Sequence, residues 1–278
     1  MDKSISEVIR YYGVQGRRMT SKDILRYSNI SFDTQTLDRY LNTAVRDGVC
    51  SFDLTTQTYA DARQNIPIEQ YQKRSDETAR KLSMLRTFFA LCRSIPTISM
   101  IGLTGSCSIN NARPDDDIDL MIITSTGRIF TTRLIVSCIA LLLGLKHARG
   151  AKHDPDKVCL NLWLDDSDLA IPSSKVCLYS AREIAQLHVL FDRNNSYDRL
   201  LEQNQWVKRY LPNFISSRPV RNTTPLSSHH SFFTHIIDIL ERVARFFQLK
   251  QIKRHLTREY VTDTQLWFHP IDRTQNEV

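Results

Sequence analysis

An apolar run, Ser99-Met100-Ile101-Gly102-Leu103, is followed by Gly105-Ser106, and ten residues later Asp117-Ile118-Asp119 opens a second apolar run through Ile123. Side chains alternate along a strand, so Asp117 and Asp119 project from one face while Ile118 and Leu120 project from the other. Two neighbouring carboxylates repel each other, and burying them unpaired is costly. A divalent cation resolves that cost, and Mg²⁺ or Mn²⁺ suits oxygen donors. The Gly105-Ser106 turn, with Ser108 near it, can offer backbone N–H groups and hydroxyls to a polyphosphate. Asp117 and Asp119 are therefore candidate catalytic and metal-binding residues, and Gly105, Ser106 and Ser108 candidate nucleotide-phosphate-binding residues. A plain hairpin with a solubilising acidic tip accounts for Asp115 and Asp116. It does not account for acids that persist into an apolar strand.

This combination of apolar strand, Gly-Ser, about ten residues and Asp-x-Asp between apolar positions resembles the signature of the DNA polymerase β-like nucleotidyltransferase superfamily. The resemblance implies an α/β (α+β) fold: a polymerase β-like nucleotidyltransferase core with a mixed sheet, an N-terminal winged helix-turn-helix and a C-terminal helical segment. It implies two Mg²⁺ ions (or Mn²⁺) shared by Asp117, Asp119 and a nucleoside triphosphate, NTP, as substrate. It also implies a third carboxylate on a later strand. The candidate strand is Val158 to Leu164, and the polar residue expected on the side of Cys159 and Trp163 is Asn161, a third ligand position held by a neutral amide. Asp165 and Asp166 at the strand's end are the substitute acids. Arg113, inside the loop, either contacts phosphate or pairs with Asp115 or Asp116.

Further stretches, among them Gly127-Arg128, Lys157 to Leu164, Phe191-Asp192-Arg193, Trp206-Val207 and Leu211-Pro212-Asn213, resemble a group of prokaryotic nucleotidyltransferase-domain proteins across nearly all 278 residues. That likeness implies fold and broad chemistry, and supplies no acceptor.

The chain divides into four stretches. Residues 1–60 carry three short amphipathic helices and a hairpin, the order of a winged helix-turn-helix. Its third helix turns Gln35, Asp38, Arg39 and Asn42 outward, and its wing lies at Thr55 to Thr58. Residues 61–95 form a connecting basic helix whose charged side reads as solvated. Residues 96–190 hold the nucleotidyltransferase core, with a buried helix through Leu134 to Leu145, a basic loop from Lys146 to His153, a strand Lys175 to Leu178 and a helix Ala181 to Leu190. Residues 191–278 are helical by pattern, with a linker at Ser216 to Ser228. A long helix there places Phe233, Ile236, Ile237, Leu240, Val243, Ala244 and Phe247 on one buried face. Asp154-Pro155-Asp156 reads as an exposed turn.

A net charge of +7 points to an acidic partner: the NTP, and nucleic acid through the basic faces or the winged helix. Six cysteines without metal-ligand spacing fit a reducing compartment. No leader is read in the polar first residues, and the longest apolar run is about twelve residues, too short for a bilayer. A cytoplasmic protein with no membrane partner is expected; oligomeric state is left open. Two function classes remain. One is a Mg-dependent nucleotidyltransferase that moves a nucleoside monophosphate from an NTP to an acceptor hydroxyl. The other is a non-catalytic nucleotide-sensing regulator that binds DNA or a partner through the winged-helix unit.

Overall fold

Local signals set the first elements. Helix α1 (Lys3–Val14) turns Ile5, Val8, Ile9 and Tyr12 inward. Helix α2 (Ser21–Tyr27) starts at a capping box in which the Thr20 hydroxyl accepts from the Asp23 N–H and the Asp23 carboxylate accepts from the Thr20 N–H. Helix α3 (Thr34–Arg46) is capped by Asp33 and buries Leu37, Leu41 and Ala44. Strands β1 (Cys50–Asp53) and β2 (Thr58–Asp61) then form an antiparallel hairpin. Three helices and a hairpin are thus present in the expected order. Their apolar cluster does not close on itself, because it continues through Ala181, Ile184, Ala185, Val207, Leu211 and Phe214. The computed structural model describes residues 3–146, 155–214, 232–254 and 259–268.

The remaining elements are α4 (Ile68–Met84), α5 (Arg86–Arg93), β3 (Ile98–Leu103), α6 (Gly105–Ser108), β4 (Ile118–Thr124), α7 (Ile129–Leu142) and β5 (Val158–Asp165). After a 3₁₀ turn at Ser173–Lys175 come α8 (Leu178–Gln186), β6 (His188–Asp192), α9 (Ser196–Gln203), α10 (Val207–Tyr210), α11 (Phe232–Lys253), β7 (Tyr260–Val261) and β8 (Gln265–Trp267). Six strands form one mixed sheet in the order β6-β3-β4-β5-β8-β7. Only the β4–β5 pair is parallel. One face carries Ile101, Leu103, Ile118, Leu120, Ile122 and Trp163 against α5, α7 and Ala244 of α11. The other carries Met100, Met121, Ile123, Leu162 and Leu164 against Tyr197 and Leu200 of α9. The protein is therefore α+β, and none of its described helices is long and apolar enough to cross a membrane.

Several expectations are corrected. The connecting helix is two helices that break at the buried Leu85, so α4 faces the acidic loop while α5 turns Phe88 and Cys92 into the sheet core. Its basic side is not wholly solvated: Arg74 and Lys81 are buried. Lys175 to Leu178 is a 3₁₀ turn and a helix start, not a strand. The helix expected through Leu190 stops at Gln186, and His188–Asp192 becomes strand β6 because the buried β3 needs hydrogen-bond partners on both edges. The C-terminal region is not all helix. Strand β8 satisfies the outer edge of β5. Helix α7 is not buried all round, and α11 leaves Ile236, Leu240, Val243 and Phe247 in solvent. The basic loop from His147 to His153, the linker at 216–228 and the Phe233 side chain lie outside the described residues.

Candidate functional site

Strand β3 ends at Leu103, and the chain enters the four-residue helix α6 at Gly105. Gly105 has φ of +61°, and a Cβ there would sit 2.5 Å from Asp119 Oδ2. Glycine is needed twice over, for the left-handed backbone and for the close approach of the carboxylate. The Thr104 N–H donates to the Asp119 carbonyl at 3.0 Å, which fixes the turn against the start of β4.

Asp117 and Asp119 are brought together as the alternation requires. One oxygen from each and the Cys159 sulfur lie within 4.8 Å of one another, and all three side chains are partly exposed. Asn161 joins them, because its Nδ2 donates to Asp119 Oδ1 while its Oδ1 accepts from the Cys159 thiol. The backbone cause is a bulge. Asp119 pairs with Cys159 but Met121 pairs with Leu162, so β5 spends one residue more than β4. Asn161 and Leu162 consequently face the same side, and Trp163 is thrown to the opposite face, where it is fully buried. That corrects the placement of Trp163 beside Asn161.

The substitute acids are not at the site. Asp165 pairs with Thr124 at the far end of the strand, about 20 Å along β5 from Cys159. Its carboxylate accepts from the Gly127 N–H at 2.6 Å, and Asp166 pairs with Arg199 at 2.7 Å. Burial, then the charges of Asp119 and Asp117, push the Cys159 thiol well above its ordinary range. Cys107, packed behind the turn, is pushed up to about 12 by burial, which makes it an inert core thiol.

The two serines are engaged inside the loop. Ser106 Oγ donates to Asp116 Oδ2 at 2.7 Å, and Ser108 Oγ donates to the Gly105 carbonyl at 2.7 Å. Arg113 touches Asp116 through its backbone N–H, 2.8 Å from the same Oδ2. Asp116 thus closes the loop from within.

The loop is also gripped from outside, by Arg74 and Lys81 of the helix side expected to be solvated and by Thr78 between them. Arg74, Thr78 and Lys81 stand at i, i+4 and i+7 of α4, on one face. Arg74 Nη1 donates to Asn111 Oδ1 at 3.0 Å and to the Gln15 carbonyl at 2.6 Å. Thr78 Oγ1 accepts from the Ala112 N–H at 3.2 Å. Lys81 Nζ reaches the carbonyls of Pro114 (3.2 Å) and Asp116 (2.7 Å) and the Asp156 carboxylate (2.7 Å). Burial raises the Asp156 carboxyl, but hydrogen bonds from Arg80 and Lys81 outweigh it and hold the group below its usual value. Pro155 and Asp156 do form a turn, but the Asp156 side chain is half-buried and serves as a structural anchor. The signal available in the sequence was the spacing of Arg74, Thr78 and Lys81 within an otherwise exposed helix.

The donor set suits a divalent cation only in part. Two carboxylates are hard oxygen ligands fit for Mg²⁺ or Mn²⁺, while the third neighbours are a thiol and an amide. In comparisons with known proteins, the chain matches no protein-family model, no curated protein and no solved structure.

Proposed function

We propose that residues 105–119 with Cys159 and Asn161 form the site of a Mg-dependent nucleotidyltransferase, which moves a nucleoside monophosphate from an NTP to an acceptor hydroxyl. The observation that carries this reading is the Asp117–Asp119 pair beside a left-handed glycine turn whose missing side chain lets the Asp119 carboxylate approach closely. Asp117 and Asp119 would hold Mg²⁺ (or Mn²⁺). The ion, when bound, activates the acceptor hydroxyl and offsets charge that develops on the phosphoryl oxygens. Gly105 leaves room for close approach to the backbone, and Ser106 and Ser108 can exchange their internal hydrogen bonds for phosphate oxygens. Asn161 orients Asp119 through its amide N–H. Labelled NTPs with Mg²⁺ or Mn²⁺ and candidate acceptors test the reading. Wild type is expected to transfer label and the Asp117→Ala/Asp119→Ala double variant to transfer none; equal labelling by both would sink it.

One observation favours a second reading. Among the described residues, the side chains that β5 adds to the pair are Cys159 and Asn161, neither of them an acid. Without a third carboxylate the site would bind a nucleotide and its metal without turning it over. The three-helix and hairpin unit, with Gln35, Asp38, Arg39 and Asn42 exposed on α3, would then act as a winged helix that contacts DNA or a partner. Saturable nucleotide binding that depends on Asp117 and Asp119, with no product, supports this reading. A filter-binding assay that shows no DNA affinity at low salt removes its DNA version.

A further inference from the structure

Helix α11 presents solvent with a stripe that has the pattern of a helix–helix seam. Ile236, Leu240, Val243 and Phe247 follow one another at spacings of four, three and four residues, and Ile239 and Phe246 flank them. All six are between 44% and 64% exposed. An apolar row at that spacing forms one narrow side of a helix, the side that coiled-coil packing buries. The stripe cannot roll inward, because the adjacent side of α11 is fastened to α7. Glu241 Oε1 accepts from the Phe130 N–H at 2.8 Å, Gln248 Nε2 donates to the Phe130 carbonyl at 2.7 Å, and Ala244 is buried between them. The neighbouring α7 adds Leu134, Leu141 and Leu142, between 49% and 85% exposed.

We propose that this face binds the same face of a second copy of the chain, two α11 helices packing antiparallel about a two-fold axis between Leu240 and Val243. Two observations select that occupant. The first is register. The spacing of four, three and four reads the same in both chain directions, so the two-fold sets Ile236 opposite Phe247 and Leu240 opposite Val243. Every seam residue then meets an apolar partner, and a single self-complementary patch closes the assembly. The second is area. A large aromatic side chain carries roughly 150–250 Å². At the observed exposures the six α11 residues offer on the order of 700 Å², close to the ~800 Å² per partner of a stable interface. A monomer rarely leaves a patch of that size uncovered. The inference stands apart from the nucleotide reading and does not need it.

The test uses the full chain. Sedimentation equilibrium across about 1–100 μM is expected to give twice the chain mass for wild type, and one chain mass for Leu240→Glu/Phe247→Glu. Both positions are already in solvent in the single chain, so the variant is expected to keep the wild-type circular dichroism. Hydrogen exchange of the 236–247 amides supplies a second readout that needs no variant: it should slow as wild type is concentrated, while exchange in α3 stays constant. A wild type of one chain mass throughout overturns the proposal. A dimer that survives both substitutions also overturns it, because the interface then lies elsewhere. Binding of the single chain to phosphatidylserine vesicles through this face, without self-association, overturns it in favour of a lipid surface.

Discussion

The fully buried Lys81 ammonium lies 2.7 Å from the carbonyl oxygen of Asp116, the residue that immediately precedes the candidate ligand Asp117. The same ammonium bonds Asp156, so one charge from α4 pins the loop that enters β4 to the loop that enters β5. These loops carry Asp117 and lead to Cys159. Burying an ammonium is costly unless anions and carbonyls surround it, and here two carbonyls and the carboxylates of Asp156 and Glu77 do so.

Lys81→Met removes that charge, takes the ammonium donor from the Pro114 carbonyl and leaves the Asp116 carbonyl only the Asp156 N–H at 3.4 Å. Arg80 still neutralises Asp156, at 2.6 Å, so the loss should fall near the lower end for a broken buried pair, about 3 kcal/mol. Urea unfolding measures it. A loss below about 0.5 kcal/mol would mean that the lysine does not hold the loops together.

The pH dependence of Asp156 follows from its depressed carboxyl. A folded-state value below the unfolded value contributes stability that is fully present above about pH 4, the ordinary aspartate range, and is lost as pH falls through the folded value. Asp156→Asn should therefore be less stable than wild type by a constant margin above about pH 5, and that margin should shrink below about pH 4. A margin that instead grows on acidification contradicts the assignment.

At the site itself, Gly105→Ala combines a left-handed backbone with a Cβ 2.5 Å from Asp119 Oδ2. The backbone strain alone costs roughly 1–2 kcal/mol, and the carboxylate must move aside. Mn²⁺ binding followed by electron paramagnetic resonance should weaken by at least tenfold, with near-wild-type circular dichroism. Unchanged Mn²⁺ affinity would show that Asp119 does not need this turn.

Asn161→Asp places a third carboxylate against Asp119 where the amide now donates. Without metal the two acids repel, and the variant should melt a few degrees below wild type, on the scale of ~1 kcal/mol. Millimolar Mg²⁺ should restore the difference and raise the melting temperature more than it does for wild type. A melting temperature that ignores Mg²⁺ in both proteins would argue against a cation at this position.

The candidate site was legible in sequence up to the limit of local information. Strands Ile98–Leu103 and Ile118–Thr124 follow from their apolar runs, and the spacing of Asp117 and Asp119 places both on one side of the sheet. The first three helices announce themselves by caps and periodicity, signals contained within a few residues. Tertiary structure decided the rest. Asn161 meets Asp119 because of a bulge that exists only in the pairing of β5 with β4, and the same bulge sends Trp163 to the other face. Lys81 looks like any solvated lysine until loops 35 and 75 residues away surround it. Residues 188–192 become a strand because β3 lacks a partner on that edge, and the apolar row of α11 reaches solvent because the side next to it is already held against α7. Periodicity and turn chemistry act between neighbours in the chain. Strand pairing and the burial of charge depend on partners that only the folded chain brings together.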